Sequence, residues 1–79
     1  TSVEVVLTDT HFILTCDLEE MAKKTIATFQ MDGHIMLFER RRGDTYFYRY
    51  VGMTPPLSVN WQRVIKDTNG MSIVILITH

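Results

Sequence analysis

"MSIVILIT", residues 71–78, contains five consecutive apolar residues, four of them β-branched. A strand apolar on both faces needs neighbours on both sides and cover above and below, which predicts a place in the middle of a sheet. Residues 3–8, "VEVVLT", share the β-branched character, and residues 11–15, "HFILT", repeat it after the turn-prone pair Asp9-Thr10. Together 3–15 read as a hairpin, and the continuous apolar runs "VV" and "FIL" predict that at least its first strand is also central and covered on most of both faces.

Between these apolar ends the period changes. In "DLEEMAKKTIATFQM", residues 17–31, Leu18, Met21, Ala22, Thr25 and Phe29 fall on one stripe at 3.6 residues per turn, with Ile26 beside it and Lys23, Lys24 and Gln30 elsewhere. The spacing predicts an amphipathic helix laid on a sheet. Asp17 at the N-cap with Glu20 three residues on has the form of a capping box, and Asp32-Gly33 supplies a left-handed stop.

Residues 34–39, "HIMLFE", and 45–51, "TYFYRYV", predict a second hairpin about the Gly43-Asp44 turn. Gly52 and Pro55-Pro56 then forbid regular strand, Ser58 is placed to cap a short helix carrying Trp61, Val64 and Ile65, and Asp67-Thr68-Asn69-Gly70 ends it. Met53, Leu57 and Trp61 would cap the open end of the core.

The expected fold is α+β: a mixed sheet of four or five strands packed on one main helix, with the order ββαββ, short helix, β. A parallel pair of the first and last strands would carry the helix across one face as a crossover. In element order and length the pattern resembles the ubiquitin-like β-grasp, a likeness of fold that carries no functional residue with it. Other helix-on-sheet rolls, or a sheet completed by dimerisation, fit the same order. An exposed edge at 45–51 or 11–15 would admit an extended partner by strand addition, or, equally, Arg49 would act as a gatekeeper against such pairing.

Bulk properties bound the function. With 79 residues the chain forms a single small domain, 1–79, too small to spare a large active-site cavity. It begins at Thr1 rather than Met, compatible with a domain cut from a longer protein. Eight basic residues against nine acidic, a net charge of -1, lack the global basicity of a dedicated nucleic-acid binder. One cysteine, Cys16, cannot close an internal disulfide, and no leader or membrane-crossing apolar run is present, so a cytoplasmic setting with no membrane contact is expected.

Against that balance, residues 39–50, "ERRRGDTYFYRY", concentrate four arginines and four aromatics. With a two-residue turn at Gly43-Asp44, alternation puts Tyr46, Tyr48 and Tyr50 on one face with Glu39 and Arg41, and Phe47, Arg49 and Val51 on the other. A three-residue loop would bring Arg40 opposite Tyr46 instead. Tyrosine offers contact area at low entropic cost, and arginine pairs bidentately with carboxylate or phosphate. The plainer alternative is a tyrosine face that is partly core, with arginines covering the rings by cation–π contact.

Arg40, Arg41, Arg42, Tyr46, Tyr48, Arg49 and Tyr50 are the candidate partner-binding residues. The expected function is a non-enzymatic protein–protein interaction module, an adaptor or regulatory domain, in which the arginines meet an acidic partner and the tyrosines anchor it. Single-stranded nucleic-acid binding through the same hairpin, enzyme inhibition by edge-strand addition, and a homodimer through an edge strand are the alternatives. Catalytic residues, cofactor and metal ligands are not expected: His11, Cys16 and His34 share no metal-site spacing, and the four glycines are scattered at turns. The tripeptide Arg42-Gly43-Asp44 at the hairpin tip is a chance match to an integrin motif.

Overall fold

The structure, a computed structural model, describes residues 2–52, 61–66 and 72–78. Seven elements follow in chain order: β1 (Ser2–Leu7), β2 (His11–Thr15), α1 (Glu19–Met31), β3 (Met36–Arg42), β4 (Thr45–Tyr50), β5 (Trp61–Lys66) and β6 (Ser72–Thr78). The fold is α+β, and its strands form one sheet in the order β3-β4-β2-β1-β6-β5. β1, β2, β4 and β3 make a continuous antiparallel unit, β6 lies parallel to β1, and β5 pairs antiparallel with β6.

The pairing of β1 with β6 is the parallel contact expected of the two apolar ends, and it places β6 inside the sheet. The rest of the topology corrects the expectation. Among the described residues there are six strands rather than four or five, and their order does not confirm a ubiquitin-like β-grasp. Residues 61–66, expected within a short helix, form β5, in register with β6 from Trp61 opposite Ile77 to Lys66 opposite Ser72. The reason lies in backbone demand: without β5, the outer row of N–H and C=O groups on β6 would have no strand partner, and "WQRVIK" has enough β-favouring residues to supply one. The Pro55-Pro56 break, the Ser58 cap, the 67–70 turn and the Met53, Leu57 and Trp61 cap lie outside the residues or side chains described.

One face of the sheet is covered by α1. Ala22, Thr25, Ile26 and Phe29 of the helix are buried against Val3, Val5 and Leu7 of β1, Phe12 and Leu14 of β2, Met36 of β3, and Tyr46 and Tyr50 of β4. At its centre the Phe29 ring meets Phe12 edge to face, with centroids 5.0 Å apart. Thr25 is tolerated there because its hydroxyl donates to the Met21 carbonyl at 2.8 Å. Along β1, Glu4 and Val6 are exposed, so this strand alternates instead of being covered on both faces.

The helix starts later than its acidic signals suggest. Leu18 is the N-cap and makes no side-chain capping bond, so the Asp17 capping box does not form. Its end matches the pattern: Gly33 takes φ 99°, its N–H donates to the Gln30 carbonyl at 3.1 Å, and His34 N–H donates to Phe29 at 3.1 Å, together a Schellman stop.

Replacing Phe29 by alanine should lower the unfolding free energy by about 3–5 kcal/mol, because a fully buried ring is lost from a small core. Leu18→Ala, at a residue 49% exposed, should cost under about 0.5 kcal/mol. Urea denaturation midpoints of the two variants provide the check.

Candidate functional site

The second hairpin turns at Gly43-Asp44 with Arg42 opposite Thr45, which is the two-residue loop. Gly43 takes φ 60° at the first central position while Asp44 stays out of the left-handed region, the pattern of a type II′ turn that only glycine adopts without strain. The Arg41 Nε–H donates to the Gly43 carbonyl at 2.9 Å and braces the tip.

The register slips between Phe38 and Arg40: Phe38 faces Tyr48, Arg40 faces Phe47, and Glu39 is the extra residue of a bulge. This decides which side chains share a face. Arg41 joins the tyrosines on the helix side, where its guanidinium lies 4.7 Å from the Tyr46 ring centroid and 3.6 Å from Glu19 of α1. Glu39, expected on that side too, is turned to the opposite one. There its carboxylate accepts from His11 Nε2 and lies 3.8 Å from Arg49 Nε. In the neutral ring, His11 Nδ1 is then left to accept from the Thr10 hydroxyl, 2.7 Å away.

Two of the three tyrosines expected to anchor a partner, Tyr46 and Tyr50, are placed in the core. Tyr46 is 6% exposed and Tyr50 7%, because the pleat aims both at α1. Tyr48 is half-buried, packed edge-on against Phe12 and Phe38 with centroids 6.5 and 5.5 Å away. Tyr50 places its hydroxyl 2.9 Å from His34 Nδ1, and burial pushes its phenol up to about 12. Burial also raises Tyr48, and the neighbouring Tyr46 adds to the rise. The Tyr46 hydroxyl is buried with no hydrogen-bond partner among the described residues.

The hairpin's other face is also open to solvent, while on the helix side Phe38 and Arg41 remain exposed. Arg40 lies over Phe47 at 4.5 Å from the ring centroid, Arg42 stands opposite Thr45, and Arg49 stands opposite both Leu37 and His11. Arg41 and Arg49 are engaged by Glu19 and Glu39, whereas Arg40 and Arg42 make no ion pair among the described residues. Phe47 and Leu37 were not among the residues expected to bind. Phe47 was signalled by its place beside Arg49 in the alternation, since a charged neighbour marks the water side of a strand.

The edges also differ from expectation. β4 and β2 are interior, and among the described residues the sheet ends at β3 and β5. The arginine triplet and the bulge therefore lie on an edge strand, where charge and irregular pairing discourage another strand from adding. Proline at Tyr48 would break the core sheet rather than an accessible edge.

Other chemistry is sparse among the described residues. No group of three or more His, Cys, Asp or Glu side chains is placed to hold a metal. Cys16 is buried, with its thiol 3.4 Å from the Leu18 carbonyl, and His34 packs against Phe29 and Phe12 in the core. No helix here is long and apolar enough to cross a membrane.

Tyr50→Phe should cost about 1 kcal/mol at neutral pH through loss of the contact to His34, while Tyr46→Phe should be neutral or stabilising because its hydroxyl leaves no partner behind. Alkaline titration gives a second check. Burial raises the folded Tyr50 phenol above its ordinary value of 10.0, so both states stay protonated below pH 10 and stability is unaffected there. Above it the unfolded chain ionises first, and stability falls as pH rises through about 12. In Tyr50→Phe that alkaline decline should be shallower, as read from urea midpoints between pH 8 and about 12.

No protein-family model matches the chain, and no curated protein or solved structure matches it significantly.

Proposed function

We propose that the chain is a non-enzymatic protein-interaction module that binds an acidic partner through the open face of its second hairpin. Arg40 and Arg42 make the charge contacts, Phe47 opposite Arg40 is the apolar contact, and Arg49 is a rim residue held by Glu39. The observation that carries this reading is the division among the arginines. Arg41 and Arg49 have carboxylates within 4 Å, but Arg40 and Arg42, adjacent on the open face, have none among the described residues. Two guanidinium groups on one face beside a half-buried aromatic ring can pair bidentately with carboxylates while the ring supplies contact area.

Arg40 and Arg42 belong to an edge strand whose bulge and charge oppose strand addition, which favours a partner held by side chains on the sheet face. The chain's nine acidic residues against eight basic argue for a protein rather than a nucleic acid. Cys16, a buried free thiol, suits a reducing compartment such as the cytoplasm.

The test is titration of a fluorescent oligoglutamate peptide and a single-stranded oligonucleotide of equal charge, at low and high salt. Oligoglutamate should bind, and Arg40→Glu with Arg42→Glu should weaken it at least about tenfold, since two charge-assisted contacts become repulsive. Tyr46→Phe should leave the affinity unchanged. Preference for the oligonucleotide, with affinity falling steeply as salt rises, would overturn the reading.

A further inference from the structure

We infer that His11 makes the open face a pH-sensitive surface whose grip on an acidic partner tightens as pH falls, an inference that rests on the acidic-partner reading and adds its regulation. One carboxylate is shared between two groups. Glu39 accepts from His11 Nε2 and lies 3.8 Å from Arg49 Nε, so it holds both a ring able to gain a proton and a guanidinium on the face offered to the partner. While the imidazole is neutral, Glu39 and Arg49 cancel, and the trio adds no net charge to the face. Protonation leaves the trio with one net positive charge. The ring then offsets Glu39 itself, and Arg49 joins Arg40 and Arg42 as an available guanidinium.

The atoms around His11 serve both states. The neutral ring donates from Nε2 to Glu39 and accepts at Nδ1 from the Thr10 hydroxyl, 2.7 Å away. The protonated ring donates from both nitrogens, and the hydroxyl has only to rotate so that its oxygen accepts. The backbone at the ring is fixed: His11 N–H donates to Thr8 Oγ1 at 2.9 Å, and its carbonyl accepts from Thr8 N–H at 2.9 Å. Proton uptake therefore changes charge without displacing the strand.

Few charged groups surround the ring. β3 contributes Glu39, β4 contributes Arg49 directly opposite His11, and the β1 side contributes the uncharged Thr8. Asp9, in the turn between β1 and β2, makes no ion pair among the described residues. Arg40 stands over Phe47, whose partner Ile13 is two residues along β2 from His11. His34 packs against Phe29 on the helix side, so its titration does not charge this face. An imidazole gains its proton within about pH 5–8, a window in which carboxylates and guanidinium groups ordinarily keep their charge.

The experiment titrates fluorescent oligoglutamate at about pH 6 and about pH 8 at constant ionic strength; glutamate side chains, with an ordinary pKa of about 4.3, stay ionised at both. The wild-type chain should bind about threefold tighter at the lower pH, the scale of one exposed ion pair. His11→Gln keeps a donor toward Glu39 but takes up no proton, and should bind equally at both. Glu39→Gln gives the trio its single positive charge without protonation, and should bind at the higher pH as tightly as the wild type does at the lower. By linkage, oligoglutamate should raise the pH midpoint at which the His11 ring protons of the wild-type chain shift in NMR spectra. Wild-type affinity that ignores pH, a pH dependence that survives in His11→Gln, or a ring midpoint that oligoglutamate leaves in place would overturn the switch while leaving the acidic-partner reading standing. Absence of oligoglutamate binding at both pH values would overturn both.

Discussion

The edge-to-face contact between Phe29 of the helix and Phe12 of β2 determines what every other strand can present to solvent. It commits the even-numbered side of β2 to the core. Because β4 is paired to β2 with Tyr48 opposite Phe12 and Tyr46 opposite Leu14, the tyrosines must follow. Alternation then sends Phe47 and Arg49 outward without further choice. The chemistry of the open face is thus a by-product of core packing, and no separate device is needed to expose it.

The bulge at Glu39 adds a second constraint. Without the extra residue, Glu39 would share a face with Arg41 and the buried rings, where a carboxylate would be costly to desolvate. The slip brings Glu39 into reach of His11 and Arg49 instead, so one acid spans from β3 across β4 to β2. It also leaves Arg40 above Phe47. A single irregularity in one edge strand therefore divides the arginine cluster into engaged and available members.

Local signals were readable where they depend on one residue's backbone. Gly33 and Gly43 marked a helix stop and a hairpin turn because each requires a positive φ that other residues resist. The apolar ends could be paired because a run such as Ile73 to Ile77, apolar at every position, calls for strand neighbours on both sides. The side of the hairpin facing the core was harder to see: "TYFYRY" has aromatic rings on both faces, and Arg41 and Arg49 lie on opposite sides. The bulge is set by cross-strand pairing and leaves no mark in residue type. Residues 61–66 were ambiguous in another way, since Trp61, Val64 and Ile65 fit a helical stripe and their β propensity fits a strand; the unmet hydrogen-bonding edge of β6 decides between them.

The parallel pairing of β1 with β6 joins segments separated by nearly the whole described chain. Closing so long a loop carries a large entropic cost before the contact repays it, so this seam zips late in folding, after the neighbouring hairpins and helix have formed. During synthesis the inner rim of β1 stays unpaired until the ribosome has released residues 72–78. For that interval β1 lacks its parallel strand partner, and an unpaired edge of this kind invites misassociation.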